Sequence, residues 1–410
     1  MTGSTIDHLV SLMVFLGAIL LFIGLFNQTI QTAILYQRHR SLATKCSDLL
    51  DNMLLNPGIP LYWGKSNCTP TGFGLQDPEF MQYRLSPFSL MRLLSSAGNR
   101  VYYNRTGKWY SNVSWGVGGG YLLLEESDCI DYLTTSKLLG INRTYGFRLE
   151  ITPIVKVNIV EDQKITDHLR LNITVTGQGA PLTEASITYL MFWTNSPEPK
   201  TNTTKTNAMG FAYLDFDGTS GLPRIEVSQN QTAYTFIAKA SLGGLHGIGY
   251  LSREIVTKAG NIIPFIESYE NGTILLAHKW GKNDPGKECQ GALHFNAIFY
   301  VLSDNFSPIK VENTTGLVNY GAEKPFQVVQ IPSEARNETG FLVVTYWTGN
   351  EYGMVVMPWG IGAIGVSVVF GDDPSGKEWV ATDMRQVLVN NIAYQAKLAL
   401  WSLQGYQVIG

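Results

Sequence analysis

The apolar positions of this chain follow one spacing up to Met53 and another after Tyr145. From Leu9 to Phe26 they run almost unbroken as LVSLMVFLGAILLFIGLF. At about 1.5 Å per residue, a helix over this stretch covers roughly 27 Å, close to the hydrocarbon thickness of a bilayer. Beyond it Ile30, Ile34, Leu42, Cys46, Leu49, Leu50 and Met53 recur at helical spacing, while Gln31, Arg38, Arg40, Lys45 and Asp48 lie off that stripe. The pattern stops at Pro57-Gly58. Residues 1–56 therefore read as one long helix, or two nearly collinear ones, crossing a membrane through residues 9–26. The later stripe must pack on something, either the protein's own head or neighbouring copies.

Residues 57–145 are mixed and read as a small α/β subdomain. Ser86-Pro87 ahead of FSLMRLLSSAG predicts a helix from Pro87 to about Ser96. Ser127-Asp128 ahead of Ile130, Leu133, Leu138 and Leu139 predicts a second, stopped by Gly140. Between them VYYNRTGKWYSNVSWGVGGGYLLLE predicts two or three strands. Its GVGGG is a loop, because a phosphate-binding turn would be followed by a helix.

From Tyr145 the period becomes two. FRLEITPIVKVNIV, LRLNITVTG, ASITYLMFW, GFAYLDF, AYTFIAKAS and GIGYLS are separated by the turn clusters GQGAPL, TNSPEPKTN and DGTSGLP. This cadence predicts a β-sandwich over residues 146–254. IIPFIESY, GTILLAHKW, AIFYVLS, FQVVQI, FLVVTYWT, GMVVMPW, AIGVSVVFG, MRQVLV and AYQAKLALW continue it as a second β domain over 255–410. The expected class is α+β, mostly β, with a long N-terminal transmembrane helix, the mixed subdomain and two sandwich-like domains.

Composition adds a location. Net charge is −3 and charged residues make up 15%, against about 25% in average soluble chains. The only basic cluster is Gln37 to Arg40, so nucleic acid is not an expected partner. The surface polarity is supplied instead by N-x-[ST] sequons, which hold twelve of the twenty-five Asn residues where about four would arise by chance. Asn27 lies at the membrane face and Asn305 precedes Ser307-Pro308. The other ten are candidates for covalent N-glycans: Asn67, Asn104, Asn112, Asn142, Asn172, Asn202, Asn230, Asn271, Asn313 and Asn337.

Cys46, Cys68, Cys129 and Cys289 fit no metal-ligand spacing and allow two disulfides with three connectivities in an exported chain. Arg38, Arg40 and Lys45 follow the span with nothing basic before it, which by the positive-inside rule alone would keep the bulk inside. Long domains translocate largely regardless of flanking charge, and the sequons and cysteines agree on the outside.

Motifs for chemistry are sparse. The histidines His8, His39, His168, His246, His278 and His294 form no H-x-x-x-H pair and none lies near a Cys at ligand spacing. There is no G-x-S-x-G elbow, Walker loop or paired-carboxylate motif. GLHGIG at 244–249 reads as a Gly-rich turn beside a strand. Asp215-Phe216-Asp217-Gly218 reads as a hairpin turn, since it lacks the later ligands of a calcium loop. Gly371 to Gly376 reads as a surface turn. No catalytic residue, metal or cofactor is expected.

Two resemblances follow from these residues. Gly179-Ala180-Pro181-Leu182, Ala185-Ser186-Ile187-Thr188, Thr204 to Asn207 and Gly210-Phe211-Ala212 resemble the signature of Ig-like or prealbumin-like surface modules. The short non-basic leader, the apolar span and its amphipathic continuation into a β-rich head resemble archaeal type IV pilin-like surface proteins. Counted from Gly3, Asp7 stands fifth, where the resemblance implies an acidic residue that pairs with a neighbour's amino terminus during assembly. Thr2 stands where such proteins carry Lys or Arg. The resemblance implies a homo-oligomer or filament built through the helix; the length of the apolar stripe predicts a mixed arrangement, with the Ile30, Ile34 and Leu42 end available to other copies and the Cys46 to Met53 end covered by the head. The expected function is therefore a non-enzymatic glycosylated surface protein for adhesion or surface structure. The alternative is a membrane-anchored extracellular hydrolase or carbohydrate-binding protein stacking sugars on Trp and Tyr of its C-terminal strands.

Overall fold

The computed structural model describes residues 2–65, 68–80, 82–95, 100–103, 108–113, 122–125, 130–193, 196–219, 221–227, 232–253, 262–268, 273–278, 292–303, 306–319, 326–330, 332–336, 340–348, 351–359 and 365–403. The chain is mostly β, with one long N-terminal apolar helix and several antiparallel sheets. That helix, α1 (Thr2–Leu55), is continuous, so it forms a single rod of about 81 Å rather than two collinear pieces. Thr29, Thr32 and Thr44 do not interrupt it, because each hydroxyl donates to the carbonyl four residues back at 2.8, 2.8 and 3.0 Å. The rod ends where Pro57 and the positive-φ Gly58 turn the chain. Its last carbonyls are not left open, since Leu75 and Gln76 donate backbone N–H groups to Met53 and Asn56 at 2.8 and 2.9 Å.

Two short helices follow. α2 (Pro87–Ser95) lies where the sequence places it, with Ser86 Oγ accepting from Ser89 N–H. α3 (Tyr132–Leu138) starts later than expected. Its cap is Asp131, whose carboxylate accepts from Thr134 N–H at 2.7 Å; Ser127-Asp128 lie outside the described residues. Gly140 closes it at φ 67°. A fourth helical turn is α4 (Ser333–Arg336).

Among the described residues the strands form five sheets. The outer sheet has the order β10 (Phe211–Phe216), β6 (Leu169–Gly177), β5 (Val155–Glu161), with β7 (Ala180–Pro181) pairing β6. The middle sheet is β12 (Leu245–Arg253), β11 (Tyr234–Leu242), β8 (Ser186–Trp193), β9 (Ser196–Lys205). These two share one core, built from Leu169, Leu171, Ile173 and Val175 on one side and Ile187, Tyr189, Met191 and Phe236 on the other.

The opposite face of the middle sheet is also buried. Leu190, Phe192, Ile237 and Tyr250 join a second core with the third sheet, β16 (Pro308–Asn319), β15 (Ala292–Leu302), β18 (Gly340–Thr348), β19 (Glu351–Trp359). Phe192 meets Tyr300 and Phe341 at ring separations of 5.9 and 6.4 Å. Burial on both faces explains why Tyr189 to Trp193, YLMFW, is apolar without alternation.

The fourth sheet, β20 (Val368–Gly371), β4 (Tyr145–Pro153), β22 (Ile392–Ser402), β21 (Ala381–Val389), carries the end of α1. The last is six-stranded: β1 (Arg100–Tyr103), β2 (Lys108–Val113), β3 (Leu122–Glu125), β13 (Ile262–Ser268), β14 (Thr273–His278), β17 (Phe326–Gln330), with β3 and β13 parallel.

Several expectations are corrected. β1, β2 and β3 of residues 57–145 share their sheet with β13, β14 and β17 of residues 255–410. β4, assigned from sequence to the 146–254 sandwich, pairs with β22 and β20 instead. FRLEITPIVKVNIV is thus two strands in different sheets, divided between Pro153 and Val155. Most of TNSPEPKTN is strand: Ser196–Lys205 pairs with β8 as a polar edge strand with two prolines, a composition suited to an unpaired edge, and Thr194-Asn195 lie outside the described residues. β16 was not anticipated at all. The GVGGG loop lies outside the described residues.

Candidate functional site

The rod divides sharply. From Ile6 to Phe26 its large apolar side chains are 38–71% exposed, whereas Leu42, Cys46, Leu49, Leu50, Met53 and Leu54 are at most 5% exposed. It is the one helix among the described residues long and apolar enough to cross a membrane. The buried end sits on β21 and β22, with Trp63, Phe73, Leu75, Leu85 and α2 closing the same core. Arg385 of β21 fastens it: Nε and Nη2 donate to Asp51 at 2.9 and 3.1 Å, and Nη2 donates to Ser47 Oγ at 2.9 Å. Asp383 pairs with the same guanidinium at 2.9 Å, and Tyr83 donates to Asp51 at 3.2 Å. One turn before Leu42, His39 lies against Trp379 with ring centroids 3.9 Å apart.

Cys46 belongs to this junction. Its thiol contacts the carbonyl oxygens of Ala381 and Leu398 at 3.6 and 3.5 Å, and burial pushes its pKa up to about 11. The group is a packed thiol rather than a nucleophile. No disulfide forms among the described residues; Cys129 and Cys289 lie outside them.

Of the residues expected to face other copies, Asp7, Ile30 and Ile34 are exposed, and Leu42 is not. The free part of the stripe therefore ends before Leu42, which the head covers. Among the sequons, Asn202 and Asn27 are exposed and Asn142 and Asn172 half-buried. Asn112 and Asn313 lie on β2 and β16. Asn67, Asn104, Asn230, Asn271, Asn305 and Asn337 lie outside the described residues.

The outer sheet brings together groups that sequence reading kept apart. His168 stands with Nδ1 3.0 Å from Asp167 and Nε2 2.6 Å from Asp215, and Arg170 Nε donates to Asp215 at 2.9 Å. Asp217, by contrast, caps its own turn by accepting from Thr219 N–H and hydroxyl. The hydrogen bond to Asp167 and then the approach of Asp215 hold the His168 pKa above its ordinary value. The proton is therefore bound more tightly in the folded chain, so this contribution is complete below about pH 6.5 and fades as pH rises through the raised value. The stability difference between the native chain and His168→Gln, read from thermal unfolding, should be larger at pH 5.5 than at pH 8.5. A pH-independent difference would contradict the charged imidazolium.

The other histidines remain scattered. His246 Nδ1 shares a 2.8 Å hydrogen bond with Ser241 Oγ, and His294 stacks on Trp347. Among the described residues no group of three or more His, Cys, Asp and Glu side chains is placed to hold a metal. The C-terminal aromatics Trp401, Tyr394 and Tyr346 are core residues, so those rings are not a sugar-stacking surface. A cavity of about 370 Å³ opens between β5, β12 and residues 365–367, with Lys156, Asn158 and Ser367 at its rim. Tyr250, in its wall, donates its hydroxyl to Val356 O at 2.8 Å. Compared with known proteins, the chain matches no protein-family model and no curated protein by sequence.

Proposed function

We infer that this is a non-enzymatic, glycosylated cell-surface protein, type IV pilin-like in plan. It is anchored by residues 9–26 and presents a β-rich head, sandwich-like across residues 155–253, for adhesion or as part of a surface filament. The observation that supports this reading is that one continuous helix leaves its apolar side chains exposed from Ile6 to Phe26 and buries one face, Leu42 to Leu54, at the other end. An exposed apolar cylinder in water would be strongly unfavourable, and in a bilayer it is not.

From Phe26 to Leu42 the rod climbs roughly 24 Å, so the head stands clear of the lipid on a stiff stalk. Ile30, Ile34 and Tyr36 are exposed along that stalk, where neighbouring rods would meet, and Asp7 would answer a neighbour's amino terminus.

Protease added to intact cells is expected to digest the head and leave a small fragment containing residues 9–26. Complete protection would reverse the topology. Crosslinking in native membranes separates filament from monomer: a ladder lost in Ile34→Asp supports assembly through the stalk, and monomers alone remove it.

A further inference from the structure

We propose that the outer face of the β10-β6-β5 sheet is the seat of an N-glycan on Asn172, with Tyr213 and Phe211 as its stacking platform. This rests on the reading of the chain as exported and glycosylated, and names where on the fold one glycan is held. The inward positions of the sheet are filled by the shared core, so residues 158, 160, 172, 174, 211 and 213 face outward by strand alternation.

Register places them in rows. Tyr213, Asn172 and Val160 are directly opposite one another, and Phe211, Thr174 and Asn158 form the next row. Asn172 is thus at the centre of the face on the middle strand. The sequon hydroxyl of Thr174 lies about 7 Å along the same side.

Two observations point to an occupant. Tyr213, Val160, Met209 and Phe211 are 65, 49, 62 and 36% exposed, an apolar group on a folded surface with nothing over it. Asn172 Oδ1 is buried with no hydrogen-bond partner, which is unusual for an amide next to solvent. A sugar on Asn172 answers both, because its C–H face lies on the rings while its hydroxyls and acetamido groups reach the buried oxygen and the Arg170–Asp215 pair at the edge of the platform.

Attachment joins Asn172 Nδ2 to the anomeric carbon of a sugar donated by a lipid-linked sugar phosphate. The C1–O bond to the phosphate breaks, the phosphate leaves with the bonding electrons, and one amide proton is released.

Trypsin separates the relevant sites, since Leu171–Lys200 contains Asn172 as its only sequon and Thr201–Lys205 contains Asn202. Mass spectrometry of full-length protein from its native host is expected to show whole-sugar increments on the first peptide. In that glycosylated protein, Tyr213→Ala should lower the Tm about 2 °C more than it does in an Asn172→Gln background. Thr174→Ala, which removes the sequon and keeps the amide, gives the same comparison if Asn172→Gln misfolds.

An unmodified Asn172 peptide on molecules whose Asn202 peptide carries sugar overturns this proposal and leaves export standing. Unmodified peptides at every sequon overturn both. Equal Tm losses in the two backgrounds overturn the platform.

Discussion

Leu50→Asp is expected to unseat the rod from the head and lower stability by about 5 kcal/mol or more. Leu50 is fully buried in the cluster of Cys46, Met53, Trp63, Leu75 and Leu398. The truncation alone, Leu50→Ala, removes apolar contacts and leaves a cavity at a cost of about 3 kcal/mol. The carboxylate adds the penalty of burying a charge in an apolar cluster; Arg385 of β21 is already engaged by Asp51 and Asp383.

The control is Ile34→Asp on the same helix. Ile34 is 45% exposed, so in detergent its replacement should change stability by no more than about 0.5 kcal/mol. Thermal unfolding of detergent-solubilised protein separates the two. Equal, small losses would mean the helix end is not part of the core, and the anchored-rod reading would lose its supporting observation.

That contrast was partly legible in the residues. Helical spacing from Ile30 to Met53 announced a stripe with a partner, and for Leu42 to Met53 the partner proved to be mainly β21 and β22, from the far end of the chain. Strands with one wet face were legible too: Leu169, Leu171, Ile173 and Val175 alternate with Arg170, Asn172, Thr174 and Thr176, and β6 covers that run. β9 was not, because an edge strand bathed by water takes its order from pairing with β8 and needs no apolar period. Nor was the parallel pairing of β3 with β13, since sheet membership across such a separation has no local signal.

The same division holds at the outer face. Asn172 is visible as a sequon, but the ring opposite it depends on register between β6 and β10. His168 was visible beside Asp167, and its second carboxylate, Asp215, comes from another strand. An alternating pattern tells which side chains share a face; it does not tell which strand lies next door.

The second large effect concerns the place where the outer and middle sheets meet. Gly247 and Gly249 alternate along β12 toward the outer sheet, and β5 crosses directly over them. A Cβ at Gly247 would lie 2.4 Å from Val155 O, and one at Gly249 would lie 2.5 Å from Val157 O. Both obstacles are backbone carbonyls, which cannot rotate away as a side-chain end would, so β5 must move as a unit. Moving it withdraws Val155 and Ile159 from the shared core.

Gly249→Val is therefore expected to cost about 3 kcal/mol, at the upper end for overpacking because relief in one layer opens a gap in the other. Val160→Thr, one strand away on the exposed face of β5, should stay within about 0.5 kcal/mol. Both are read from thermal unfolding. Limited proteolysis of Gly249→Val should nick β5 before α1 is released from the head, since the junction at Arg385 and Asp51 does not touch this seam. A Gly249→Val protein that unfolds at the native temperature would mean β5 and β12 do not lie in contact. Gly247 and Gly249 of GLHGIG would then be the turn residues that their sequence suggests rather than the bearing surface between two sheets.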